Sequence, residues 1–279
     1  MVTNGSAHRT EDGVELAYWS LPGSSPELLL VHGLASNARL WDGVASRLER
    51  RGHGVVALDQ RGHGLSAKPA SGFDWARLAA DLAGLIEAVM QPPVVAVGQS
   101  FGGNLVIETA VRFPELVSGV VCVDGGFVDL RGAWPDWDEA KLLLSPPSLD
   151  DLHAHDLAAR AEEMYPGWPA EGIAGQLANL EVSAEGRVSR RLPLDSHLAI
   201  LRTMWEQSPV EVAAKVTQPV LVLAALAGPL KHQEQVQRFV DALRRGRTVW
   251  VDGHHDLHAE QPETVAAEIE RALADGFLR

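Results

Sequence analysis

The sequence predicts an α/β protein: a mostly parallel sheet with helices on both faces, interrupted by a mostly helical insert. Three observations predict it. From residue 14 to 126, short β-branched runs alternate with helix-periodic segments, the rhythm of a parallel sheet covered on both sides. Between 127 and 209 that rhythm lapses, and after Pro219 it resumes. Finally, Gly98-Gln99-Ser100-Phe101-Gly102 sets one serine between an apolar run and a helix-like run, with glycines two residues away on each side.

The elements follow in order. Residues 14–19 alternate loosely and read as an early strand. Leu28-Leu29-Leu30-Val31 is a short buried strand leading into His32-Gly33-Leu34. Residues 39–48 space Leu40, Val44 and Leu48 as a helix does, with Trp41 packing. A strand over 54–59 ends in Gln60-Arg61-Gly62-His63-Gly64, and residues 73–90 carry Leu78, Leu82, Leu85, Ile86 and Val89 on one helical side. Pro92-Pro93 stops that helix before the strand that reaches Ser100. A helix over 100–113 is closed by Pro114, and a strand over 117–123 ends in Asp124-Gly125-Gly126. The insert holds helix-like pieces at 152–164 and 194–205 and four of the eight tryptophans. Beyond it come a strand at 219–224, a helix at 234–243, a strand at 247–251 and a helix at 264–273. The predicted organisation is a core of residues 1–126 and 210–279, with 127–209 inserted as a helical cap.

Composition narrows the function. A chain of 279 residues with 46% hydrophobic and 22% charged residues is ample for a globular core. A net charge of −13 argues against nucleic acid and anionic membrane surfaces as partners. The first nine residues contain no signal-like apolar stretch, and no run approaches the ~20 residues of a membrane helix. Cys122 is the single cysteine, which excludes an internal disulfide and a cysteine zinc cage. A cytoplasmic protein is expected.

The chemistry starts at Ser100. A serine on a sharp strand-to-helix turn is held clear of the sheet near the positive end of the next helix, and its neighbours must lack Cβ atoms. This resembles the nucleophile elbow of the α/β-hydrolase superfamily, serine branch. His32-Gly33-Leu34, the turn Asp59-Gln60-Arg61-Gly62-His63-Gly64-Leu65-Ser66 and the histidine loop 252–263 resemble further motifs of that superfamily, in the same order. The resemblance covers 14–126 and 215–275 and implies the α/β-hydrolase fold with a cap. It also implies a base near the C-terminus, seven residues before Pro262, which is His255; His254 and His258 are the alternatives. The acid departs from the usual pattern. In most relatives it lies in the turn after the strand at 219–224, but Ala225-Leu226-Ala227-Gly228-Pro229-Leu230 has no carboxylate. Some members carry it one strand earlier, where Asp124 stands; Glu234 is the alternative. Leu34 and Phe101 are implied as the backbone N–H donors of an oxyanion hole. Candidate substrate contacts are His32 and the cap residues Trp134, Trp137, Trp168 and Trp205. Bracing of the loop competes for His32, and packing of the cap competes for the tryptophans.

The expected reaction is therefore hydrolysis of a carboxylic ester, lactone or thioester of a small molecule through an acyl-enzyme, needing no metal or organic cofactor. Carbon–carbon bond hydrolysis, cofactor-free perhydrolysis and a non-catalytic binding role are the alternatives on the same fold. A serine at the elbow argues against the dehalogenase and epoxide-hydrolase branches, which place an aspartate there. Gly62-His63-Gly64-Leu65-Ser66-Ala67, with Asp81 beyond it, formally fits a dinucleotide fingerprint, but no helix opens there. His153 with His155, or the histidine cluster at 254–258, lacks partners at a known metal spacing.

Overall fold

A computed structural model describes residues 5–150, 152–228 and 230–278. Met1 to Asn4, which belong to the stretch read above for a leader, and Pro229 of the turn without a carboxylate lie outside the described residues. Ten strands are formed: β1 (Ser6–Arg9), β2 (Glu15–Leu21), β3 (Ser24–Val31), β4 (His53–Leu58), β5 (Val94–Gln99), β6 (Val117–Val123), β7 (Leu180–Val182), β8 (Val188–Arg190), β9 (Val220–Ala225) and β10 (Gly246–Val251). Eight of them make one sheet in the order β1-β2-β4-β3-β5-β6-β9-β10. β1 and β2 are antiparallel at one edge, and every pairing from β4 to β10 is parallel.

The apolar runs are continuous because both faces of the sheet are covered. Leu29, Val31, Ala96, Val120, Cys122 and Val222 point to one core cluster; Leu28, Leu30, Val95, Val97, Val121 and Leu223 point to the other. Helices Trp75–Val89 and Phe101–Arg112 close the first face, and Asp42–Arg50 and Pro262–Ala274 close the second. Trp41 is fully buried on the second face. Strand order reverses between β4 and β5 on either side of β3, so a crevice opens at the carboxyl ends of the parallel strands.

Residues 127–209 add no strand to this sheet. They form helices Leu130–Ala133, Trp137–Leu144, Leu157–Met164, Ala170–Leu177 and Leu194–Glu206. The sequence suggests no strong strand here, yet β7 and β8 make a separate antiparallel hairpin. At three residues each, they are too short to leave a period. Hydrogen bonds tie this layer to the core at several points: Trp75 Nε1–H to Thr203 O (3.0 Å), Asn104 Nδ2–H to Gln207 Oε1 (2.7 Å) and Asn37 Nδ2–H to Gly175 O (2.9 Å).

The turn after β4 is a structural knot. Arg61 is buried and donates to Asp81 through Nε and Nη2, at 2.5 and 2.6 Å, and through Nη1 to Asp12 at 3.1 Å. Asp81 is thereby committed to the fold rather than facing a ligand. A buried pair of this kind is close to neutral as a whole, but an unpaired guanidinium at the same place is not. Asp81→Ala leaves Arg61 with Asp12 as its remaining carboxylate and is expected to destabilise the protein by about 1–3 kcal/mol, read as a lowered midpoint in urea unfolding with the m-value unchanged.

Candidate active site

Among the described residues, three non-glycine residues have positive φ: Ala35 (56°), Ser100 (51°) and Asp124 (43°). All three stand at the carboxyl ends of adjacent strands, β3, β5 and β6. Backbone in this region costs on the order of 1–3 kcal/mol per residue and persists where packing over-determines it. Here glycines do so. A Cβ on Gly98 would come within 2.1 Å of Gly102 O, and one on Gly102 within 2.4 Å of His32 O. Strand, helix and the His-Gly loop therefore meet backbone to backbone around Ser100, which has ψ −122° and caps helix Phe101–Arg112.

Asp124 is buried, and donors surround its carboxylate. Oδ2 accepts from His255 Nδ1 at 2.6 Å; Oδ1 accepts from Ala225 N–H and from His232 Nε2, both at 2.9 Å. Burial alone would raise this carboxyl, but the bonds from His232, His255 and Ala225 together hold it down at about 2. An ionised carboxylate only accepts, so the facing nitrogen of each imidazole carries a proton. His255 thus keeps its lone pair on Nε2, on a side chain that is 55% exposed. For His255 the surrounding protein disfavours the charged form, the Asp124 carboxylate favours it more, and the net direction is upward from 6.5. Among the described residues Ser100 Oγ makes no hydrogen bond, and none joins it to His255, as is common before substrate enters.

The other candidates separate cleanly. His254 is 76% exposed and pairs with Glu260, and Glu234 is exposed without contact to His255. His258 is buried against Trp41 with neither nitrogen partnered, and burial pushes it down to about 3. Asp256 spends its oxygens on Gln99 Nε2 (3.2 Å) and Gln176 Nε2 (3.0 Å), not on the His255 ring. Among the described residues no three His, Cys, Asp or Glu side chains are grouped as metal ligands.

Leu34 and Phe101 N–H groups donate to no acceptor within the described chain, and Gly33 lies against Ser100, where an added Cβ would sit 3.2 Å from Ser100 Cβ. His32 is fully buried: Nδ1 meets Gly33 O at 2.7 Å and Nε2 accepts from Gln60 N–H at 3.1 Å. It braces the loop and lines none of the cavities described here. His63 also serves that loop, accepting Ala35 N–H at Nε2 (3.2 Å), a role with no signal beyond the turn motif itself.

A cavity of about 450 Å³ opens beside Asp124 and His255, lined also by Phe127, Leu130, Trp134, Leu144, Lys231 and His232. Of the four tryptophans Trp134 lines it. Trp137 and Trp205 pack edge to face at 5.8 Å under the Arg202 guanidinium, and Trp205 Nε1–H donates to Trp134 O. Trp168 packs on Tyr165 at 4.5 Å and lines no cavity described here. Trp137 and Trp205 join helices Trp137–Leu144 and Leu194–Glu206 to one another, whereas the Trp168 contact is local. His232 was not singled out by the sequence; a histidine in the segment where an expected carboxylate is missing is the signal that points to it.

Residues 26–162 match the family model described as alpha/beta hydrolase fold. The 2-(acetamidomethylene)succinate hydrolase of Mesorhizobium japonicum is 32% identical over 206 residues, covering 72% of this chain and 70% of that protein. This chain belongs to the α/β-hydrolase family. Another α/β-hydrolase relative, lipase LipV of Mycobacterium tuberculosis, is 32% identical over 264 residues, 90% of this chain and 95% of its own. The crystal structure of E-2-(acetamidomethylene)succinate hydrolase superposes with a TM-score of 0.76 at 23% identity, covering 97% of this hydrolase and 100% of that chain. Among the described residues no helix is long and apolar enough to cross a membrane.

The His255–Asp124 contact favours the protonated ring. Its contribution to stability is full below the ordinary imidazole value of about 6.5 and is lost as pH rises through the raised value in the folded state. In an NMR titration of the imidazole, His255 is expected to titrate above 6.5. In Asp124→Asn it should titrate lower than in wild type, because only the Asp256 charge then opposes the cost of desolvating the imidazolium.

Proposed function

We propose that this hydrolase is a serine enzyme cleaving a carboxylic ester, lactone or thioester of a small molecule through an acyl-enzyme. One observation carries the reading: a histidine tied at Nδ1 to a buried, ionised carboxylate, with Nε2 unpartnered, in the same crevice as a serine on a strained strand-to-helix turn. Serine is a weak nucleophile until a base takes its proton. In this reading Ser100 Oγ attacks the carbonyl carbon as His255 Nε2 accepts the proton. Asp124 stabilises the imidazolium, and the Leu34 and Phe101 N–H groups receive the oxyanion, each such donor contributing about 3–4 kcal/mol to the transition state. The tetrahedral adduct collapses, His255 protonates the leaving oxygen or sulfur, and the acyl group stays on Ser100. Water, deprotonated by His255, then adds to the acyl carbon and releases the acid and free Ser100. The cavity beside His255, walled by Phe127, Leu130 and Trp134, suits an apolar or aromatic group. The reading includes 127–209 as a cap insert over a core of 1–126 and 210–279, and a cytoplasmic location.

Intact mass after incubation with a fluorophosphonate tests it. Wild type is expected to gain one adduct and Ser100→Ala none, with the thermal midpoint of the variant almost unchanged. A folded wild type that takes no label would refute the reading. On a p-nitrophenyl ester, His255→Ala should lose at least about 10²-fold in kcat, whereas His254→Ala, at an exposed position, should stay within a few-fold of wild type. Asp124→Asn should lower kcat by roughly 10²- to 10⁴-fold. The reverse ranking of the two histidines would move the base to His254.

A further inference from the structure

We infer that His232 is a positioning residue for the triad acid, a second imidazole that holds Asp124 by the oxygen His255 does not use. The inference rests on the reading of Ser100, His255 and Asp124 as a triad. Helix Leu230–Ala242 follows β9, in the segment whose leading turn lacks the carboxylate that most relatives are expected to carry. The acid stands one strand away, and this segment supplies a donor to it instead. The His232 and Asp124 side chains are only 15% and 5% exposed, so water screens their contact little.

The geometry is specific. With Asp124 ionised, His232 must carry its proton on Nε2, and its Nδ1 is left buried and unpartnered. Phe127 meets the ring edge to face at 5.1 Å, Trp250 stands at 6.2 Å, and Gly228 lies so close that a Cβ there would fall 2.5 Å from Nδ1. The ring is clamped in one orientation. Its N–H fixes the plane of the carboxylate and draws charge from Oδ2, which tempers the hold of Asp124 on the His255 proton. Without that donor Oδ1 would face the 450 Å³ cavity, where only mobile water could replace it. Among the described residues the other ionisable groups near the two imidazoles are Asp256 and the buried His258 beside His255, and Lys231 and Asp129 lining the cavity; none hydrogen-bonds either imidazole.

The test is the second-order rate of fluorophosphonate labelling of the whole protein across pH, which needs no natural substrate. His232→Leu is expected to label about tenfold more slowly on the plateau, the worth of one hydrogen bond to a charged group. Its acid limb should move to higher pH, because a carboxylate shared with Ala225 N–H alone, and no longer with His232, binds the His255 proton more firmly. His232→Gln places an amide N–H where Nε2 now lies and is expected to return the rate to within about threefold and the limb to its wild-type position. Mere packing would not move the limb or distinguish these two. If the leucine variant does not fold by circular dichroism, His232→Asn, too short to reach, takes its place against His232→Gln with the same contrast expected. Equal rates and limbs across a pair overturn this inference alone; a wild type that takes no label overturns the hydrolase reading beneath it.

Discussion

The arrangement of this crevice depends on one carboxylate that has to remain charged inside protein. Asp124 leaves β6 with φ 43°, and donors from three other segments converge on it. Ala225 comes from the end of β9, His232 from the helix that follows, and His255 from the loop after β10. A buried charge without partners costs several kcal/mol, so these segments are held in register by a common need. Gly125 shows how tight the arrangement is: a side chain there would run into the backbone of Ser100 at 2.4 Å. Serine and acid are thus set against each other by main chain, before any side-chain contact is considered.

On the other side of the crevice the backbone is held by two buried imidazoles together with the Asp59 side chain. Ala35 is held at φ 56° by a hydrogen bond to His63, and Asp59 Oδ1 accepts from Ala38 N–H at 2.8 Å. Burial pushes His63 and His32 far toward the neutral form, His63 the more strongly. Both rings can therefore accept hydrogen bonds from backbone across the ordinary pH range. The loop that leaves the Leu34 N–H open thus rests on rings that burial keeps from charging, while His255, favoured by Asp124, charges more readily.

The fold was legible because two-faced strands write themselves as continuous apolar runs. β6 spans 117–123 in the periodicity and Val117–Val123 in the structure. What escaped has physical reasons. β1 is a polar edge strand with no alternation, and the hairpin strands are three residues long. The helix after β9 begins at Leu230, four residues before the first periodic position, because its opening turn Lys231-His232-Gln233 is polar. That turn carries His232, so the boundary error and the overlooked donor have one cause. The motifs supplied Ser100, Asp124 and His255 as names, and the fold brings the last two to 2.6 Å. No motif predicted which tryptophans would stack on one another, because that depends on how helix Trp137–Leu144 crosses Leu194–Glu206.

The bridge through Asp256 has a consequence for how such proteins diversify. Its carboxylate is held by Gln99 at the end of β5 and Gln176 from helix Ala170–Leu177, one residue from His255. Residues 127–209 are therefore not an interchangeable module. A segment that covers the crevice but lacks an amide at this point would leave the half-buried Asp256 with Gln99 alone beside the titrating ring. A substitution in helix Ala170–Leu177 that diversifies the crevice therefore also reaches the histidine loop through Asp256.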